Sequence, residues 1–226
     1  MDMEAHDLNV AEQILALLLS DRDGSLLDQT PFHFALAGGI LAELYARGRI
    51  DLEEGTSGWL VTPLSREPTG VPSLDDALVQ LLEATRRTDP ETWVGRFAED
   101  DELYLRVGRQ LCRKDAVDEH EGRVRLIFRR KVYVDLAEDV HDEVVGGIRS
   151  AMSGDGPVDG RTAVILGMSR AADILKLVFD PSEVAEAKDR LDRILDESDL
   201  DDEERAVYEV LVAATERAVH STSAAA

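Results

Sequence analysis

Cysteine is nearly absent: Cys112 is the only one in 226 residues. A lone thiol excludes an internal disulfide framework and suits a reducing compartment. It also leaves no cysteine pair for a thiolate zinc site. Lysine is scarce, with only Lys114, Lys131, Lys176 and Lys188 among 25 bases, against 47 acids. No stretch approaches the roughly 18 to 20 uninterrupted apolar residues that a membrane-spanning helix needs. The most apolar N-terminal run, "VAEQILALLLS", contains Glu12 and Gln13 and has no basic flank, so it does not read as a signal peptide.

Catalytic and nucleotide-binding motifs are missing as well. There is no phosphate-binding G-x-x-x-x-G-K-[ST] loop, no strand-linked G-x-G-x-x-G and no G-x-S-x-G nucleophile turn. The histidines His6, His33, His120, His141 and His220 show no metal-ligand spacing. "DEHE" at Asp118–Glu121 and "HDE" at His141–Glu143 could hold a cation, but in so acidic a chain they read as solvated faces. Cys112 has Arg113 and Lys114 beside it, which would lower a thiol pKa. Its place near the apolar side of its helix makes it a packing residue instead. The expectation is no enzyme, no cofactor and no metal.

What is present is a core-forming chain. Apolar residues make up 44 %, so the net charge of −22 does not mean disorder. Such acidity fits either a salt-adapted protein or a genome rich in arginine, alanine and aspartate codons. Both exclude global attraction to nucleic acid or to an anionic membrane. Any such contact must be local.

Periodicity predicts helices for most of the length. Asn9 to Glu12 forms a capping box that starts a helix with Val10, Ile14, Leu17 and Leu18 on one face. "PFHFALAGGILAELYARG", with Thr30 as cap and Pro31 at the first helical position, is apolar almost all round and should be buried centrally. Gly48 is its stop. Arg49–Leu52 and Trp59–Thr62 flank a glycine turn and predict a β-hairpin. Further helices are expected after a Ser73 cap, after Asp89-Pro90 and over 101–116. Beyond these come 135–152, 161–179, 182–195 (opened by Asp180-Pro181-Ser182-Glu183) and 201–219. Gly38-Gly39 and Gly146-Gly147, inside helices, are read as points of close helix packing.

On the 101–116 helix, Leu103, Tyr104, Val107 and Leu111 share a face, and Arg106, Arg109 and Arg113 lie opposite. The cationic character continues through "RVRLIFRRKVYVDL", read as one long strand or a tight hairpin. From Arg106 to Lys131 there are nine bases and four acids. These arginines either pair with neighbouring carboxylates or form a site for a phosphorylated group, since guanidinium binds phosphate oxygens in a bidentate way.

Three stretches together resemble the Golgi phosphoprotein 3 family: "LNVAEQILALLLSDRDG", "LAGGILAELYARGRIDL" and the Arg-x-x-Arg of "LRVGRQL". "ILGMSRAADILKLVF" with "AKDRLDRIL" adds a weaker match. The short loops and acidic surface look like a prokaryotic member. The resemblance implies a mainly α fold: a single globular helical domain with a central helical bundle, surrounding amphipathic helices and one or two short β-hairpins. The domain would span 8–219, between a flexible 1–7 and a disordered tail 220–226.

The resemblance also implies binding to phosphatidylinositol 4-phosphate as a peripheral membrane adaptor that holds protein tails, with a β-hairpin for self-association. Arg106 and Arg109 match the Arg-x-x-Arg of the head-group pocket, and Arg113 extends the same stripe. Asp28 and Ala37 stand where the family has a tryptophan and a further arginine, so that half of the pocket is degenerate. The expected partners are an anionic or phosphorylated lipid head group, a second copy and protein tails, with no nucleic acid. The expected location is the cytoplasm, peripherally on the inner membrane surface. The alternative is a cytoplasmic interaction module without lipid binding, self-associating through the 123–135 hairpin with Val124, Leu126, Phe128 and Val132 as its contact residues.

Overall fold

Asn9 and Glu12 begin the fold as a reciprocal cap. The Asn9 N–H donates to Glu12 Oε2 at 2.8 Å, and the Glu12 N–H donates to Asn9 Oδ1 at 2.9 Å. They open α1 (Val10–Leu19), the first element of a computed structural model that describes residues 8–19, 31–56, 58–114, 117–118, 135–136, 138–154 and 156–223. All ten residues of α1 are buried, not only the predicted face.

The central helix is α2 (Phe32–Ala46), buried from Phe32 through Leu44 apart from His33 and Phe34. Pro31 is its cap residue, with no side-chain capping bond, rather than its first turn. Its end is as predicted. Gly48 takes φ 62°, and the Arg49 N–H reaches back to Leu44 O at 2.9 Å, closing the last turn in the left-handed conformation glycine allows. Around α2 pack α1, α3 (Pro72–Glu83), α4 (Pro90–Ala98), α7 (Gly160–Ala171) and α11 (Asp202–Ser223). Gly38 permits this closeness: a Cβ there would lie 2.4 Å from Thr215 Oγ1 and 2.7 Å from Met168 Sδ.

The predicted hairpin is present as β1 (Ile50–Gly55) and β2 (Gly58–Pro63), antiparallel from Ile50↔Pro63 to Gly55↔Gly58. A second antiparallel pair joins β3 (Val117–Asp118) to β4 (Asp135–Leu136). The intervening residues, including Val124, Leu126, Phe128 and Val132, lie outside the described residues, as does Asp28.

Several boundaries differ from expectation. Helix α3 starts one residue before Ser73, with Val71 at the cap and Pro72 in the first turn. Helix α5 (Asp101–Arg113) ends three residues early, and α6 (Glu138–Ser153) begins after β4. The predicted helix 161–179 is two helices, α7 and α8 (Leu175–Val178), because Asp173 adopts φ 56°. An aspartate tolerates this left-handed conformation better than most residues. The predicted helix 182–195 is likewise broken, into α9 (Pro181–Glu186) and α10 (Lys188–Leu191). Its start signal holds, with a full capping box between Asp180 and Glu183.

Helix α11 continues past Val219 to Ser223, so His220–Ser223 are helical rather than tail. Ser221 Oγ donates to Glu91 Oε1 at 3.1 Å there, tying the extra turn to α4. Gly146 and Gly147 are exposed, and a Cβ at either would meet nothing within 4 Å, so close packing does not explain them.

Candidate functional site: the arginine face of α5

Helix α5 follows an Asp100 cap, whose carboxylate accepts from the Glu102 N–H at 3.0 Å. Leu103, Val107 and Leu111 are buried, as the wheel requires. That burial turns Arg106, Arg109 and Arg113 outward along one side.

The three arginines differ in what they meet. Arg106, with a side chain 34 % exposed, forms an ion pair with Asp76 of α3. Arg109 is half exposed and pairs with Glu102 at 3.9 Å, too long for a hydrogen bond. Arg113 is exposed and makes no ion pair among the described residues. Ala37 is 1 % exposed inside α2, so its position contributes core packing and nothing to a surface.

A buried polar cluster sets where α5 lies. Gln110, 4 % exposed, accepts from the Ser73 N–H at 2.8 Å and donates to Glu12 Oε1 at 3.0 Å. Lys114 Nζ reaches Glu12 Oε2 at 2.8 Å. One side chain therefore links α1, α3 and α5. Glu43, 1 % exposed, makes a parallel link, accepting from the Val10 N–H at 3.2 Å and Arg47 Nε at 2.8 Å. Neither Asp76 nor the Gln110 link was foreseen from the sequence. Gln110 had one signal, a polar residue beside Leu103 on the helical wheel.

The other arginine-rich region is different in kind. A groove of about 860 Å³ lies between α6, α9 and α10. Its arginines are neutralised in place: Arg149 by Glu183 at 3.0 Å, and Arg190 and Arg193 by Glu197 at 3.3 and 3.0 Å. Among the described residues no group of three or more histidine, cysteine, aspartate or glutamate side chains could hold a metal ion. No helix among them is long and apolar enough to cross a membrane.

A family model described as Golgi phosphoprotein 3 (GPP34) matches residues 10–219. The chain belongs to this family. The match runs from the first residue of α1 to Val219, four residues before the end of α11. No curated protein matches the chain significantly. Within this family member, Arg106 and Arg109 lie on the outer side of α5, and Ala37 is buried inside α2.

Proposed function

We propose that this Golgi phosphoprotein 3 family member is a peripheral membrane adaptor that meets an anionic, phosphorylated head group through Arg106, Arg109 and Arg113. The observation that carries this reading is the outward stripe of three arginines on one face of α5, of which Arg109 has only a 3.9 Å contact to Glu102 and Arg113 has no ion pair among the described residues. Guanidinium groups three residues apart on a helix can converge on one anion, and each offers a bidentate fork to phosphate oxygens. The reading takes the chain from residue 8 through α11 as one domain, acting at the cytoplasmic side of a membrane. It assigns the chain no catalysis.

The bulk charge of −22 works against approach to an anionic surface. At low ionic strength the repulsion is long-ranged, and at physiological salt it is screened beyond about 8 Å. Binding would therefore depend on short-range arginine contacts rather than on steering.

A second reading is favoured by the Asp76–Arg106 pair. If the arginines only balance neighbouring carboxylates, the chain is a protein-interaction module that self-associates through residues 123–135. Co-sedimentation separates the two. Phosphatidylcholine vesicles carrying phosphatidylinositol 4-phosphate should pellet the wild type, and the Arg106→Ala, Arg109→Ala double variant should stay in the supernatant. A wild type that never pellets at any salt concentration overturns the lipid reading. Light scattering then tests the second, which requires an oligomer that becomes monomeric when residues 124–134 are deleted.

A further inference from the structure

The fold brings Asp76 of α3 and Arg106 of α5 side by side. The Ser73 N–H to Gln110 Oε1 bond, at 2.8 Å between buried groups, fixes α3 against α5. One turn onward along α3 is Asp76, and one turn back along α5 is Arg106. The buried bond therefore sets the carboxylate opposite the guanidinium. The neighbouring Asp75 is committed elsewhere. Its carboxylate accepts from the Thr69 N–H at 2.5 Å and the Gly70 N–H at 3.2 Å, which anchors the loop before α3. Of this aspartate pair, only Asp76 faces the arginine stripe.

We infer that Asp76 is an internal anion that competes for Arg106, so that an external phosphate occupies the arginine face only by displacing the Asp76 carboxylate. This rests on the head-group reading above. The Asp76 side chain is 38 % exposed although the oxygen facing Arg106 is buried, so displacement would swing that oxygen into water. A tethered partner competes at an effective concentration on the order of millimolar or more. Carboxylates and other weak monoanions exchange like for like and gain nothing. A phosphate group with charge near −2 brings more acceptor oxygens and can bridge Arg106 to Arg109, which Asp76 does not do. Asp76 thus acts as a specificity-determining residue that raises the threshold for occupancy.

Two probes read the effect: phosphatidylcholine vesicles carrying phosphatidylinositol 4-phosphate, and inorganic phosphate in solution. Asp76→Asn and Asp76→Ala should each tighten binding about fivefold, the worth of one half-exposed ion pair. The gain should vanish when Arg106→Ala is added to either variant. Tightening on vesicles alone identifies a lipid-borne phosphate as the occupant, and tightening on both probes extends it to free phosphate; each supports the competition. If Asp76→Asn binds as the wild type does while Arg106→Ala weakens binding, the competition is overturned and the arginine site stands. If neither wild type nor the Asp76 variants bind either probe at any salt, the arginine site itself fails and the competition falls with it.

Discussion

Lys114 Nζ lies 2.8 Å from Glu12 Oε2, joining the end of α5 to the first turn of α1 across 102 positions of sequence. Glu12 is fully buried, whereas the Lys114 side chain is 33 % exposed. The two ends of this contact should therefore respond unequally to substitution. Glu12→Ala removes the acceptor for the Asn9 N–H, for Gln110 and for Lys114 together. The lost cap, the stranded buried Gln110 amide and the emptied carboxylate volume together should cost about 3–5 kcal/mol. Lys114→Ala leaves Glu12 its two neutral donors and should cost about 1–2 kcal/mol. Urea unfolding of both variants checks this, and equal losses would contradict it.

Two glycines on different helices should behave oppositely. Gly38→Ala drives a methyl against Thr215 Oγ1 and Met168 Sδ, and should destabilise by about 1–3 kcal/mol. Gly147→Ala meets open space in the middle of α6 and should stabilise by up to about 1 kcal/mol. Thermal midpoints of the two variants, falling and rising respectively, are the readout.

Asp89 caps α4, accepting from the Thr92 N–H at 2.9 Å and the Thr92 hydroxyl at 2.8 Å. Burial pushes its pKa up, but these bonds, with the Asp89 N–H and Arg217, outweigh it and hold the carboxyl below its ordinary value. A pKa lowered by folding stabilises above the unfolded value of about 3.9 and loses that stabilisation as pH falls through the folded one. Asp89→Ala should cost about 1 kcal/mol at neutral pH. The gap from wild type should narrow as pH falls below the unfolded value and through the lower folded one, as urea midpoints across the acid range would show.

The acid load of 47 residues against 25 bases makes the folded state self-repelling. Raising sodium chloride from about 0.05 to 1 M shortens the screening length to about 3 Å, and the thermal midpoint should rise. A midpoint that falls with salt would mean that surface ion pairs such as Arg149–Glu183 outweigh the repulsion.

What could be read from the sequence was local. The Asn9–Glu12 and Asp180–Glu183 boxes, the Asp89 cap, the Gly48 stop and the 50–63 hairpin each depend on residues within a few positions of one another. The buried character of α2 followed from its uniformly apolar composition. The break at Asp173 could not be seen, because no glycine or proline marks it. Asp76 opposite Arg106, and Gln110 between Ser73 and Glu12, depend on how distant helices register, which no pattern within one helix encodes. The stripe of Arg106, Arg109 and Arg113 was legible as a face, and pairing with carboxylates was one of its two readings, but that Asp76 meets Arg106 was not legible.

Helix α2 touches α1, α3, α4, α7 and α11, while α5, among the described residues, rests on α1, α3 and β3. Opening α2 to solvent requires nearly the whole assembly to come apart, whereas opening α5 breaks chiefly its contacts with α1 and α3, the Gln110 and Lys114 bonds included. Amide protons of α2 should exchange only through global unfolding and those of α5 through a lesser opening. Substitutions on the exposed side of α5 therefore leave the packing of the central helix untouched.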